Sequence, residues 1–321
     1  MALTKLDQAA RIAIRDCMGV KKKEKVLIIT DEIKRDIGYV LYNNSVEMGY
    51  ESLLVEMKSR SFNGEEPPAE VAGLMQKYDV VLCPTAKSLT HTDARRTASA
   101  NGSRIATFPG ITREVMIRGL NADYKKIAAL CIKLKKIFEK TKIVRVTSPA
   151  GTDITMDITG RTAFASKGLF HKKGESGNLP TGETFVAPLE GTSEGIFVVD
   201  GSMAGLGMLK NTNIRIKVEK GYATEISGGP EAKKLKKLLD VHGRDARNIA
   251  EFGIGTNDKA KLSGILLEDE KVMGTIHIAL GDNKSMGGNV HVSSHLDGLV
   301  KKPTVYFDGK IIMKNGVLLI K

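Results

Sequence analysis

Near the end of the chain, nitrogen and oxygen donors recur at a spacing that suits a metal ion. His277 is followed by His295 and Asp297, and two glutamates, Glu183 and Glu251, precede them. Neutral imidazole and anionic carboxylate form the donor mix that binds zinc, cobalt, manganese or ferrous iron in proteins. The sequence therefore predicts a metal site, which is the strongest functional prediction that it allows.

The residues around these donors alternate between apolar and polar, as they do in a strand with one buried face. In 275–280 the even-numbered residues are apolar, so His277 would point to the opposite face. In 291–297 the odd-numbered positions share a face. His295 and Asp297 can therefore converge on one ion from a single strand.

Composition places the chain among soluble proteins. Its 321 residues are 41% hydrophobic and 27% charged, and they suffice for two domains with a large core. No apolar run approaches the length of a membrane helix, and the first residues lack the layout of a signal peptide. The three cysteines are widely spaced and suggest buried thiols rather than a disulfide framework. We therefore expect a cytoplasmic protein without a membrane partner.

The net charge of +12 raises the possibility of a nucleic-acid partner. The lysines are scattered in short groups, however, aromatic residues are few, and tryptophan is absent. A solvated, lysine-rich surface explains this pattern better than a nucleic-acid site does. We expect no nucleic-acid partner, and a nucleic-acid- or anion-binding protein remains the lowest-ranked alternative.

The first part of the chain alternates short apolar strands with helical segments. Strands interleaved with helices predict a parallel, doubly wound α/β sheet, in which ligands collect beyond the carboxyl ends of the strands. The predicted strands are 25–30, 51–57, 79–83 and 104–107.

The sequence pattern changes after the long predicted helix at 123–140. From residue 142 onward, glycine and two-residue alternation dominate, which is typical of antiparallel sheets. One further helix is predicted at 230–241. The prediction is therefore an α/β domain at 1–140, followed by a β-rich α+β metal-binding domain at 141–321.

The order of four motifs in the second part resembles the aminopeptidase T family of metallo-exopeptidases. The motifs are Asn178–Glu183, Glu251–Asn257, His277–Gly281 and His295–Asp297. The match is dense over 177–309 and looser before residue 140, where only the layout agrees.

This resemblance implies a two-metal hydrolase. The family's fold is an α/β domain followed by a β-rich metal domain, and its members form homodimers. The leading hypothesis is accordingly a metallo-aminopeptidase, a homodimer or higher homo-oligomer, in which two zinc, cobalt or manganese ions activate water against the first peptide bond of a peptide substrate. A carboxylate such as Glu251 or Glu270 would carry the proton. The implied metal ligands are Glu183, Glu251, His277, His295 and Asp297.

The chain departs from that family's pattern at two positions. Val272 stands where the family has an acidic ligand five residues before the first histidine, and Lys284 stands where it has a tyrosine. A two-residue shift would let Glu270 take the place of the missing acid.

Two earlier segments resemble the 2,5-dihydroxypyridine dioxygenase relatives of the same peptidases. These segments are Pro84–Thr92 and Gly102–Gly110. The resemblance implies an alternative function, the opening of a hydroxylated aromatic ring with dioxygen at one non-haem Fe(II).

In that alternative, two histidines and one aspartate hold the iron. His295 and Asp297 would serve, and the second histidine would be His277 or, less favoured, His242. His91 follows a predicted strand of the α/β sheet, where it would act as an acid–base residue in the cleft or make a hydrogen bond at a helix start.

Overall fold

The structure is a computed structural model that describes residues 3–320. Its helices are α1 (Lys5–Arg11), α2 (Arg35–Glu47), α3 (Ala69–Met75), α4 (Asp93–Ala100), α5 (Arg113–Leu120), α6 (Tyr124–Phe138), α7 (Gly229–Asp240) and α8 (Leu266–Asp269). Its strands are β1 (Lys25–Asp31), β2 (Glu51–Met57), β3 (Val80–Cys83), β4 (Arg104–Thr107), β5 (Ile143–Thr147), β6 (Asp153–Asp157), β7 (Phe164–Ser166), β8 (Ser176–Asn178), β9 (Glu183–Val186), β10 (Glu194–Val199), β11 (Ser202–Met203), β12 (Gly207–Met208), β13 (Ile214–Glu219), β14 (Tyr222–Ser227), β15 (Ile249–Gly255), β16 (Thr275–Gly281), β17 (His295–Lys301), β18 (Thr304–Phe307), β19 (Lys310–Lys314) and β20 (Val317–Leu318).

Internal contacts divide the chain into two compact units. The first contains the chain up to Ala128 together with Ser166–Thr181, and the second contains Ala129–Ala165 and the chain from Gly182 onward. Helix α6 runs across the division. The domains predicted at 1–140 and 141–321 remain a prediction. In the structure, Ser166–Thr181 returns to the first unit.

The first unit is built on a parallel five-stranded sheet. Its strand order is β2-β1-β3-β4-β8, and all four neighbouring pairs are parallel. Strands β1 and β3 are nearly continuous runs of buried aliphatic residues, as expected for strands covered on both faces. The predicted α/β domain is confirmed.

Strand β8 joins this sheet from a distant part of the sequence. Its three residues pair with β4, placing Ser176 opposite Ile105 and Asn178 opposite Thr107. The Asn178 side-chain oxygen accepts hydrogen bonds from Thr107 at 2.7 Å and from Thr90 at 3.0 Å. These side-chain contacts help to hold a strand that contributes no apolar residue.

The second unit contains two largely antiparallel sheets. One has eight strands in the order β14-β13-β10-β6-β5-β18-β19-β20, and the other has seven in the order β12-β11-β17-β16-β15-β9-β7. Its apolar core includes four phenylalanine rings, and Phe138 lies 5.7 Å from Phe252 and 4.9 Å from Phe307 between ring centroids. The predicted β-rich domain is confirmed. Within residues 3–320, no helix is both long and apolar enough to cross a membrane.

Candidate metal centre

One face of the seven-stranded sheet carries all five of the predicted metal ligands. Residues directly opposite each other in antiparallel strands point to the same side of a sheet. Glu183 on β9 lies opposite Gly255 on β15, whose Gly253 lies opposite His277 on β16. Ala279 on β16 lies opposite Glu251 on one side and Asp297 on the other, and His295 shares the face of Asp297 on β17. Neighbouring strands thus bring together ligands that are far apart in sequence.

The opposite face of the same strands is apolar and anchors them to the core. Phe252 and Ile254 on β15, and Ile276 and Ile278 on β16, are fully buried in the core of the second unit. The alternation predicted around His277 is therefore confirmed, and it fixes the register of the polar face because a one-residue slip would bury the ligands in the core.

Small residues on the polar face leave room for the ligands. Ala279 lies between Glu251 and Asp297 on the middle of three neighbouring strands, and its side chain is only a methyl group. A Cβ atom on Gly253 would stand 2.0 Å from His277 Nε2. The glycine is therefore required because the imidazole packs directly on the backbone.

The Glu251 carboxylate lies between two imidazoles. Its Oε1 is 3.1 Å from His277 Nε2, and its Oε2 is 3.2 Å from His295 Nε2. His295 Nε2 is also 3.5 Å from Asp297 Oδ1. Ligand atoms of Glu251, His295 and Asp297 all lie within 4.8 Å of one another, which is compact enough for a single ion.

His295 is oriented as metal-bound histidines usually are. His295 Nδ1 lies 2.8 Å from the carbonyl oxygen of Asp282, and donating there leaves Nε2 free for the cluster. His277 Nδ1 and Glu183 Oε2 are buried without a hydrogen-bond partner among the described residues. Unsatisfied buried donors and acceptors are rare in proteins. The mixed nitrogen and oxygen set therefore fits a divalent ion such as Fe(II).

The charges of the cluster shift its pKa values in opposite directions. Burial alone would raise the pKa of Glu251, but hydrogen bonds with His277 and His295 outweigh burial and lower it. Burial alone would lower the pKa of His277, but Glu251 and Glu183 outweigh it and raise that pKa to about 9. Asp297 and Glu251 likewise raise the pKa of His295 well above its ordinary value. In the metal-free protein, protons on the imidazoles partly balance the carboxylates.

A buried lysine that sequence reasoning missed completes the cluster. Lys271 Nζ lies 2.7 Å from Glu183 Oε1 and 2.5 Å from Glu270 Oε2, and its side chain is only 3% exposed. Burial lowers its pKa, but the two carboxylates outweigh burial and raise it, so the amine is a cation. In the sequence, Lys271 stands next to Val272, the position at which the peptidase family has an acidic ligand.

Of the three acids before Lys271, Glu270 contacts the cluster through Lys271. Glu268 and Asp269 accept backbone N–H groups of their own loop, from Lys261 at 3.1 Å and Ser263 at 2.7 Å. Glu270 instead hydrogen-bonds Asp297, and burial with neighbouring acids raises its pKa to about 8. The two-residue shift that would let Glu270 replace the family's acid stays a prediction.

The remaining candidate residues lie elsewhere. His91 lies in the first unit, in an exposed turn between β3 and α4, and its carbonyl oxygen accepts a hydrogen bond from Arg96. Helix α4 is capped by Thr92, whose side chain accepts the Arg95 N–H at 3.2 Å. His242 Nδ1 lies 3.1 Å from the Ser293 hydroxyl, and Lys284 is an exposed loop residue.

Comparisons with known proteins point to one family. The family model described as NicX, 2,5-dihydroxypyridine 5,6-dioxygenase, matches residues 16–320. The 2,5-dihydroxypyridine 5,6-dioxygenase of Pseudomonas putida is 26% identical over 218 residues, which make up 63% of this chain and 61% of that protein. The alignment thus spans less than two thirds of the relative's length.

Solved structures with the same fold include both enzyme types suggested by the sequence. The 2,5-dihydroxypyridine dioxygenase of Pseudomonas putida KT2440 matches with a TM-score of 0.86 at 18% identity, covering 100% of this chain and 99% of that one. Wild-type AmpT of Thermus thermophilus matches with a TM-score of 0.69 at 18% identity, covering 98% and 99%. At these identities the likeness establishes the fold only.

The expectation of a metallo-aminopeptidase is wrong. The family model and the aligned relative are both named for a dioxygenase, which is an oxidoreductase and not a hydrolase or protease. The resemblance to aminopeptidase T reflects a related fold.

Proposed function

Because the chain belongs to the NicX, or 2,5-dihydroxypyridine 5,6-dioxygenase, family, we propose that it is a metal-dependent dioxygenase that opens a hydroxylated, nitrogen-containing aromatic ring. The observation that carries the proposal is the compact set of Glu251, His295 and Asp297 on one sheet face. Nitrogen and carboxylate ligands with open positions are typical of non-haem Fe(II) oxygenases.

The proposed ligands of the iron are His295, Asp297 and Glu251, with His277 as a further nitrogen donor beside Glu251. Supporting this set, His277 Nε2 and His295 Nε2 face the two oxygens of one carboxylate. His277 is favoured over His242 as the second histidine, because His242 is hydrogen-bonded to Ser293. Iron bound there would supply the one-electron chemistry that allows dioxygen to react with an aromatic ring.

The overall reaction needs no further reductant. For a 2,5-dihydroxypyridine, breaking the bond between ring carbons 5 and 6 and placing one oxygen atom of dioxygen on each carbon balances atoms and electrons. The enzyme must then bind the ring beside the metal, keep competing water away and accept a hydroxyl proton.

The residues around the cluster support a division of these tasks. The side chain of His295 is 31% exposed, whereas those of Glu251 and Asp297 are 9% and 6% exposed, so the ring would approach from the side of His295. Glu270 orients Asp297 through their hydrogen bond and is a candidate proton carrier, as is Glu251. His91, which follows a strand end of the parallel sheet in the first unit, stays a candidate from the sequence alone.

The proposal is tested by oxygen uptake. The protein is loaded anaerobically with Fe(II), and dioxygen consumption is followed with 2,5-dihydroxypyridine and with its monohydroxylated analogues. We expect one dioxygen consumed per ring opened, and no uptake by metal-free protein. Protein that binds iron but consumes no dioxygen with any hydroxylated pyridine would refute the proposal.

A companion experiment concerns His91. We expect His91→Ala to leave the iron content unchanged, because the residue belongs to the first unit and the proposed ligands belong to the second. Unchanged turnover would remove His91 from the list of proton carriers without affecting the proposed reaction.

A further inference from the structure

Lys271 places a permanent positive charge inside the acidic cluster. Its ammonium group contacts Glu183 at 2.7 Å and Glu270 at 2.5 Å, and all three side chains are largely shielded from solvent. A buried charge is costly unless it is paired, so this arrangement holds only while the carboxylates and the ammonium remain together.

The backbone directs the lysine to this position. The Asn257 N–H donates to the Lys271 carbonyl oxygen at 2.8 Å, and the Val272 carbonyl oxygen lies over Gly255, where an added Cβ atom would come within 2.2 Å. Since Gly255 is directly opposite Glu183 in the sheet, the chain around Lys271 is fixed beside that glutamate.

The charge balance explains what the lysine does. The cluster contains four carboxylates, those of Glu183, Glu251, Glu270 and Asp297. Two-metal sites use the negative charges of shared carboxylates to hold two divalent ions roughly 3.5–4 Å apart. Here an ammonium group neutralises one of these charges and contacts the oxygens of two acids.

We propose that the Lys271 ammonium is a built-in cation that takes the place of a second metal ion between Glu183 and Glu270. The site consequently binds one ion, on Glu251, His295 and Asp297. This inference rests on the metal site of the proposed function, but it does not depend on the reaction performed there.

Metal counting tests the inference. Wild-type protein, Lys271→Met and the control Lys259→Met are loaded with excess Mn(II), freed of unbound metal and analysed by mass spectrometry of the metal. Lys259 is a suitable control because it makes an exposed ion pair with Asp258, and its side chain is 55% exposed. We expect one ion per chain in wild type and control, and two in Lys271→Met.

Electron paramagnetic resonance gives a second readout that loss of stability alone would not produce. A single Mn(II) gives a six-line spectrum, whereas two ions sharing carboxylates give an exchange-coupled spectrum with more lines. We expect the coupled spectrum only in Lys271→Met. Two ions in wild-type protein, or one ion in well-folded Lys271→Met, would overturn the inference.

A second variant covers the case in which Lys271→Met does not fold. Glu183→Gln keeps the lysine, and since Glu183 is proposed to contact Lys271 rather than the ion, the variant should still bind one ion. Loss of that ion would overturn the inference. If wild-type protein binds one ion and consumes no dioxygen, the proposed function fails while the role of Lys271 stands.

Discussion

Gly253 and His277 face each other across β15 and β16, so closely that a methyl group on the glycine would stand 2.0 Å from the imidazole Nε2. The imidazole is fully buried, and its Nε2 points to Glu251. The backbone at Gly253 is therefore one wall of the metal centre.

Replacing Gly253 with alanine tests this close approach. The added methyl group must displace the imidazole, and we expect a loss of about 1–3 kcal/mol in the free energy of unfolding together with weaker metal binding. Urea denaturation of metal-free protein and metal titration measure the two effects. The control is Gly73→Ala in α3, where a Cβ atom meets nothing within 4 Å. Equal behaviour of both variants would contradict the close approach.

Removing a proposed ligand should remove the metal. We expect His295→Ala and Asp297→Asn to weaken metal binding by about 100-fold or more, since even the loss of an outer partner costs 10–100-fold. His291→Ala is the matched control, because His291 is four residues from His295 but has a side chain that is 83% exposed and paired with Asp282. Tight metal binding by His295→Ala would exclude that residue as a ligand.

Comparing two histidines identifies the further nitrogen donor. We expect His277→Ala to lower metal affinity, because its Nε2 lies 3.1 Å from the Glu251 ligand atom. His242→Ala should leave affinity unchanged, since His242 is hydrogen-bonded to Ser293. Isothermal titration of both variants measures the affinities, and the reverse ranking would assign the site to His242.

Metal binding should release protons and strengthen as pH rises. The pKa of His277, about 9, lies above its ordinary 6.5, so at pH 7 the metal-free protein carries a proton that an incoming ion must displace. Affinity should increase by up to about tenfold per pH unit for each proton displaced, up to about pH 9. Titrations in buffers of different ionisation enthalpy count the protons, and a heat that is independent of buffer would disprove the release.

The same shift has the opposite effect on the metal-free fold. The stability contributed by protonated His277 is fully present below about pH 6.5 and is lost as pH rises through about 9. Metal-free protein should therefore lose stability over the range in which metal binding gains strength.

The three cysteines should be unreactive in the native protein. All are buried, and burial raises the pKa of Cys83 to about 12 and that of Cys131 to about 11, while that of Cys17 is also raised. Because the thiolate is the reactive form, a disulfide reagent at pH 8 should label no thiol until the protein is unfolded, and then three. Rapid labelling of native protein would contradict the buried positions.

Strand alternation explains why the shared strand face of the proposed ligands could be predicted from sequence. The apolar residues beside His277 fix which face it occupies, and His295 and Asp297 are two residues apart on one strand. Both patterns involve residues that are close together in the sequence, so they can be recognised without knowing the fold. Once β9, β15, β16 and β17 lie next to one another, the proposed ligands on their shared face come together.

Features that depend on long-range contacts could not be predicted. In the sequence, Lys271 follows three acids and resembles part of a solvated charged segment. Its position beside Glu183 depends on Glu183 lying opposite Gly255, and nothing nearby in the sequence reveals that pairing. Strand β8 is equally hidden, since Ser176–Asn178 has neither an apolar pattern nor strand-forming residues. Its place is set by contacts with Thr90 and Thr107.

The late position of β8 in the sequence has a consequence for synthesis on the ribosome. Until Ser176–Asn178 has emerged, β4 is the outer strand of the parallel sheet, and its Arg104–Thr107 backbone is left without a partner on that side. Unpaired strand edges are templates for association between chains. The nascent first unit therefore passes through a stage with an exposed strand edge, which ends only when a segment from just past the midpoint of the sequence arrives.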